Sequence, residues 1–269
     1  MGISFYRDEQ LAFMEIKSCD RGMHSERRHA HDEFSLGLVL RGASRISAGG
    51  AEYRVEAGQL IWIPAEVIHD CRPEDLRLWS FKMLYLQREW IESWFPLEQP
   101  DWLVALQTLS PADLLRAKAL FAGLQSEQSA LEKESTLIAE LNHFLNIEEY
   151  WQLRNQEPAA GPEALNRAAE YLRANFVDGM TLEQLAAVAG IGKYQLLRLF
   201  KKVYQAPPHA FQMMLRINFA KEELRTRPER PVLAIAQDAG FFDQSHFVKT
   251  FKQYAGTTPV AYRMSQRCK

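Results

Sequence analysis

The sequence predicts an α+β chain of two domains. A barrel or jelly roll of short strands with a helical segment comes first, and an all-α domain built on a doubled helix-turn-helix follows. Three observations predict this. The signature Leu182-Glu183-Gln184-Leu185-Ala186-Ala187-Val188-Ala189-Gly190 recurs as Val232-Leu233-Ala234-Ile235-Ala236-Gln237-Asp238-Ala239-Gly240, with aliphatic, Ala and Gly positions in step. Short apolar runs separated by Gly and Pro turn signals fill residues 33–86. The charge divides between the halves: residues 162–269 hold 16 Lys+Arg and 9 Asp+Glu, a net of +7, whereas residues 1–161 hold 16 and 25, a net of −9.

The barrel is expected over residues 1–86. Phe34–Leu40 is an apolar run ending at Arg41-Gly42. Ser44–Ala48 alternates and stops at Gly49-Gly50, a hairpin signal, and Glu52–Val55 returns. Gln59–Ile63 is apolar up to Pro64, and Leu76–Leu86 reads as a longer strand. Strands at such regular spacing suggest a small barrel. His29 and His31 precede the first of these runs and His69 follows Pro64. Side chains two apart on a strand share a face. Phe34, Trp62, Trp79 and Phe81 serve as core or as pocket lining, and parts of Phe34–Leu40 and Leu60–Ile63 are apolar on both faces, as burial alone requires.

Residues 87–155 read as helical: Gln87–Phe95, Ala112–Leu124 and an amphipathic Ser129–Trp151 with Leu131, Leu137, Ile138, Leu141, Phe144, Leu145 and Trp151 on one stripe. That stripe packs on the barrel or pairs two chains. Glu148 interrupts any clean heptad. Asn155–Pro162, with two prolines and a glycine, is the expected linker.

In residues 162–269, Gly190 and Gly240 suit turns that need positive φ, and Ala186 and Ala236, one helical turn earlier, allow close helix approach. Thr181 with Gln184 forms a capping box, and Asp243 is an N-cap. Leu196, Leu199, Phe200 and Val203 fall on one face of the second helix. Lys193, Tyr194, Gln195, Leu197, Arg198 and Lys201 remain outside that set; Leu197 either meets a thymine methyl or packs into the core. In the second unit Phe247 and Phe251 point inward, leaving Gln244, Ser245, His246, Lys249 and Lys252. Gln, Lys and Arg are side chains that read adenine and guanine edges, and two such units can enter successive major grooves. One copy alone reads equally well as a helical hairpin of an all-α domain; two copies with matched polar faces favour DNA binding.

Residues 162–269 resemble the DNA-binding domain of the AraC/XylS family of bacterial transcription regulators. The resemblance rests on Ala239-Gly240-Phe241, Asp243-Gln244-Ser245-His246-Phe247, Phe251-Lys252, Gly256-Thr257-Thr258-Pro259 and Tyr262-Arg263. Leu196, Arg198, Phe200 and Lys201 match in the first unit, and Arg216, Ala220 and Leu224 in the linking helix. Two positions depart from the pattern: Gln205 stands where the family has Gly, and Gly192 where a Ser cap is usual. His29-Ala30-His31, Gly42, Gly58, Ile63-Pro64 and His69 resemble the cupin-like ligand-binding domain of many family members.

The resemblance implies a transcription regulator that binds double-stranded DNA and responds to a small-molecule effector, with dimerisation through the helical segment and RNA polymerase as a partner. The effector is expected near His29, His31, Phe34, Trp62 and His69. Metal-binding cupins hold a divalent ion with such histidines, so zinc, nickel or iron on His29, His31 and His69 is the alternative occupant. The carboxylate that cupin enzymes carry about four residues past the second histidine falls at Ser35 or Leu36, which argues for a sensor and against an enzyme. A cupin metalloenzyme tethered to DNA and a ligand-independent DNA binder are the rival readings. Three scattered cysteines, Cys19, Cys71 and Cys268, indicate a reducing compartment rather than a disulfide framework. The N-terminus is too polar for a signal peptide, and no run approaches the ~20 apolar residues of a membrane span. The expectation is a cytoplasmic protein.

Overall fold

The computed structural model describes residues 2–21, 27–95, 104–146, 162–264 and 267–268. Its N-terminal part is two facing sheets. The first strands are β1 (Gly2–Asp8), β2 (Met14–Asp20), β3 (Phe34–Arg41), β4 (Ala43–Ala48) and β5 (Ala51–Glu56). They are followed by β6 (Gln59–Ile63), β7 (His69–Pro73) and β8 (Ser80–Leu86), and after helix α1 (Arg88–Trp94) by β9 (Ala105–Thr108). With β10 (Arg267–Cys268), the larger sheet runs β10-β1-β2-β8-β3-β6-β9 and the smaller β5-β4-β7. The sheet therefore extends past residue 86: β9 pairs with β6, and β10 pairs with β1 in parallel. The expected strand Leu76–Leu86 is shorter, because residues 75–78 form a turn closed by Leu78 N–H donating to Asp75 O at 3.1 Å.

Strand alternation sorts the large sheet into two faces. Leu36, Leu38, Leu60, Trp62, Leu84 and Leu86 face α1, α2 (Pro111–Leu124) and α3 (Ala130–Leu145). Val39, Ile61, Ile63 and Phe81 face the small sheet, meeting Ile46, Tyr53 and Val55. Both faces are thus covered, which explains the apolar runs without alternation. Helix α3 starts at a capping box of Ser129 and Glu132 and buries Leu137, Leu141 and Phe144 against the sheet. Most of the predicted stripe is therefore core, while Leu131 stays 75% exposed. Trp151 and the expected linker up to residue 161 lie outside the described residues.

The C-terminal part is helical: α4 (Glu163–Ala174), α5 (Leu182–Ala189), α6 (Lys193–Val203), α7 (Pro208–Thr226), α8 (Val232–Asp238), α9 (Gln244–Ala255) and α10 (Pro259–Arg263). The helices α5–α6 and α8–α9 are the two predicted units, and α7 joins them. The Thr181–Gln184 capping box is present, and the Asp243 side chain accepts the His246 N–H at 2.8 Å. At Gly240, φ is +80° and a Cβ would lie 2.5 Å from Val177 O, so only glycine fits the second turn. Arg216 of α7 fastens that turn to the end of α4: Nη1 donates to Gly240 O at 2.6 Å and Nε to Phe176 O at 2.8 Å.

The two parts meet along a seam. Arg7 and Glu15 pair at 2.6 Å in a buried site, and Tyr262 completes it, donating its hydroxyl to Glu15 at 3.0 Å and accepting Arg7 Nη1 on its carbonyl at 3.0 Å. Phe5 and Ile68 join the helical core. Arg225 Nη1 donates to Ala12 O at 2.9 Å, and Arg173 pairs with Glu66 at 2.8 Å.

Candidate nucleic-acid interface and sensor site

The side chains assigned to DNA stand out from both second helices. Tyr194, 75% exposed, lies on α6 with exposed Gln195, Arg198 and Lys201. Gln244, Ser245, His246, Lys249 and Lys252 are exposed on α9. Leu196, Phe200, Phe247 and Phe251 are fully buried on the opposite faces, so packing fixes which side each helix presents. Lys193 is tied to the support helix by Glu183 at 2.7 Å. Leu197 is half-buried and lines a crevice with Leu172, Leu182 and Leu185, so it packs within the domain. The two departures from the family pattern have local solutions. Gly192 caps α6 through backbone alone, and Gln205 adopts φ +51°, the left-handed conformation that glycine takes at such a position. The exposed ring of Phe242, in the second turn, was not singled out by sequence; its neighbour Phe241 is buried.

The three histidines converge at the seam. His29 and His69 form an antiparallel pair, each N–H donating to the other's carbonyl at 2.9 Å. Ring centroids lie 4.5 Å apart for His29 and His69, 4.9 Å for His29 and His31, and 5.4 Å for His31 and His69. His29 Nδ1 donates to Arg27 O at 2.8 Å and His69 Nδ1 to Val67 O at 2.9 Å, since a carbonyl can only accept. Burial holds all three imidazoles below their ordinary pKa, and the neighbouring cations Lys221 and Lys17 add to this at His31. They are therefore neutral at pH 7.

The rings close one end of an apolar cavity of about 50 Å³ between the sheets, walled by Val39, Ile46, Val55, Ile61, Trp79 and Phe81. Lys17 and Tyr85, unnoticed in the sequence, share that end. Lys17, His29, His31 and Tyr85 also line a crevice facing Met214, Ile217, Asn218, Lys221 and Tyr254 of the helical part. One polar wall thus separates the barrel interior from the DNA-binding domain. A larger cleft of about 310 Å³ lies farther along the seam, among Glu15, Asp32, Glu33, Arg88, Lys221 and Arg225.

Phe34 and Trp62 do not line the barrel cavity. Both belong to the core facing α1–α3, where Trp62 Nε1 donates to Gln107 at 2.8 Å. The period of two along β3 and β6 turns them away from Ser35, Gly37, Ile61 and Ile63. Two further features of the cavity lacked a sequence signal. Trp79 Nε1, on the cavity wall, is buried with no hydrogen-bond partner among the described residues. Lys17 is buried, with its nearest acceptor Ala255 O at 3.5 Å, and burial pulls its pKa down to about 8.

A barrel whose polar end abuts α7 and α9 of a body that carries two helix-turn-helix units defines a ligand-responsive DNA-binding protein. Residues 185–265 match the family model "Helix-turn-helix domain" and residues 16–141 the "AraC-like ligand binding domain". The chain belongs to the AraC-type transcription regulators. It is similar to the Uncharacterized HTH-type transcriptional regulator YbfI of Bacillus subtilis, 28% identical over 81% of this chain and 80% of that one. It is also similar to the MmsAB operon regulatory protein of Pseudomonas aeruginosa, 24% identical over 91% of this chain and 79% of that one. Apo ToxT of Vibrio cholerae shares the fold across 94% of this chain and 96% of its own, with a TM-score of 0.62 and 12% identity. Among the described residues no helix is long and apolar enough to cross a membrane.

Arg198→Ala and Gln244→Ala should each weaken specific DNA binding by about 1–3 kcal/mol, while Lys201→Ala should act evenly across sequences and flatten the salt dependence. Quantitative footprinting at several salt concentrations checks this; unchanged affinity in both Ala variants refutes the assignment. The second prediction concerns Lys17. With a folded pKa of about 8 and an ordinary value of 10.5, the unfolded chain binds the extra proton between those limits, so stability rises with pH across that window. Lys17→Met should raise the melting temperature at pH 7 and flatten its rise between those two pH values; equal melting curves would refute the burial cost.

Proposed function

We propose that this regulator is controlled by a small molecule with an apolar body and an acidic head, taken into the barrel and read at the polar wall. One observation carries this reading: the cavity is apolar except at one end, where buried Lys17, Tyr85 and the histidines supply polar groups and the same wall touches the DNA-binding domain. A buried cation without an ion-pair partner is costly, and a carboxylate head relieves that cost. The unsaturated fatty acid named with one ToxT structure is a molecule of this kind.

At about 50 Å³ the cavity has room for a few water molecules and not for a drug-sized ligand, which needs ~300 Å³ or more. Entry therefore moves the wall, and with it the seam. An effector shifts the balance only by binding one arrangement better than the other, and here the better one is that with the parted seam. The volume of the 310 Å³ seam cleft favours a second reading, with the effector held there directly.

Octanoic acid and its methyl ester serve as probes. The acid should raise the melting temperature of the full chain and change its operator affinity, and the ester should do neither. Val55→Phe fills the barrel and should abolish the response while operator binding without ligand persists; Arg88→Ala, in the cleft, should leave it intact. The reverse pattern moves the effector to the cleft, and an ester as effective as the acid rejects the acidic head.

The regulator acts in the cytoplasm as a homodimer and contacts RNA polymerase. With most of the α3 stripe buried, the pairing surface is the outer side of α2 and α3, where Leu115 and Leu131 stand exposed. Sedimentation should give a dimer that Leu115→Glu with Leu131→Glu dissociates; a wild-type monomer at working concentration rejects dimerisation.

A further inference from the structure

We propose that His29, His31 and His69 form a three-imidazole site for a divalent transition metal, with zinc the best fit, and that its occupancy sets the end of the first recognition helix through Arg28. One potential ligand atom from each ring lies within 4.8 Å of the others, so small ring movements bring all three to one ion. The carbonyls of Arg27 and Val67 hold the Nδ1–H of His29 and His69, which puts the lone pair of each ring on Nε2. A carbonyl accepting from the far nitrogen is the arrangement that orients metal-binding histidines. His31 contributes an independent sign: its Nδ1 is sealed from solvent without a hydrogen-bond partner among the described residues. Neutral imidazole is a ligand for zinc, copper, iron and nickel, and three of them leave a fourth position open. Water or an acidic effector head fills that position. The three-imidazole site itself does not depend on the effector reading.

The backbone carries the coupling. Residues 27–32 hold two of the three ligands and lie between the domains. His29 is fastened to β7 through its backbone pair with His69. Next to it, Arg28 Nε donates to Asp70 of β7 at 3.0 Å and Nη1 to Gln205 O at 2.7 Å. Gln205 follows the end of α6 with φ +51°, a conformation that a non-glycine residue keeps only when held. On the other side Asn218 Nδ2 of α7 donates to Asp32 at 2.9 Å and to Ala30 O at 3.3 Å. An ion that draws His29 and His31 toward His69 moves the residue between its anchors. Arg28 is a positioning residue and passes that movement to the end of α6.

The test uses the full chain without a histidine tag, stripped with a chelator. Zinc should bind at one equivalent, and cobalt(II) should give the visible absorption of a low-coordinate imidazole site. Both should be lost in His29→Ala and His69→Ala. Should those variants misfold, imidazole proton shifts of the wild-type protein on zinc addition give the same answer. Zinc should slow amide exchange at residues 203–206 in the wild type and not in Arg28→Ala, which still takes one zinc. Absence of stoichiometric zinc, or zinc retained when all three histidines are replaced, overturns the site. Equal protection in Arg28→Ala overturns the coupling. Octanoic acid binding to the chelated protein is read separately, so failure of the effector reading is distinguishable from failure of the metal site.

Discussion

The arrangement of the molecule depends on a buried charge pair that one domain cannot satisfy alone. Arg7 and Glu15 sit opposite each other on β1 and β2, both buried, and Tyr262 from α10 adds its hydroxyl to Glu15 and its carbonyl to Arg7 Nη1. Removing one partner from such a site leaves an uncompensated buried charge, which costs far more than the intact pair returns. The pair therefore fixes the register in which the domains dock. The Arg7 guanidinium, 4.3 Å from the Tyr262 ring centroid, adds a directional contact to the same point. Burial would lower the Arg7 pKa, but Glu15 and Tyr262 outweigh it and the guanidinium is held above its ordinary value.

Around that point the seam is a mixture of apolar packing and water-accessible polar contacts. Phe5, Ile68, Met214 and Ile217 share one core, while Arg173–Glu66 is an exposed pair that water replaces at little cost. Interfaces of this composition permit relative motion, whereas a fully apolar one resembles a domain core cut in half. The polar wall of Lys17, His29, His31 and Tyr85 lies in this seam, where small displacements alter which contacts survive.

Legibility in the sequence followed locality. The helix-turn-helix pair, the Thr181 and Asp243 caps and the left-handed Gly190 and Gly240 are set by neighbours within one or two turns, and they were readable as such. Strands β3 to β6 carry their own turn signals. Strands β1, β2, β7 and β9 do not. In Met14–Asp20 the charged Glu15 and Lys17 are buried because the other domain covers them, and no local pattern announces that. His69–Pro73 has no apolar alternation at all. Phe34 and Trp62, open in the sequence to either core or pocket, turn toward α1–α3 for a related reason. A strand buried on both faces has no polar face to orient it, so alternation could not say which residues meet the cavity. The histidine triad was visible as a spacing, but its position against α7 and α9 was not.

The rigidity of the helical domain determines what a movement at the seam can do. Helix α7 connects the two helix-turn-helix units, and Arg216 bonds it to the turn of the second unit and to the segment after α4. Leu185, Leu196, Phe200, Ile217, Ile235, Phe247 and Phe251 belong to one continuous core, so the two recognition helices are packed into a single body. A displacement applied to the middle of α7 through Asn218 turns that body as a whole. One applied at Gln205 acts only on the end of α6. The first changes where both helices point relative to the barrel, and the second changes their relation to each other. Close packing resists the second unless it falls at a strained, loosely covered residue, which is where Arg28 makes its contact.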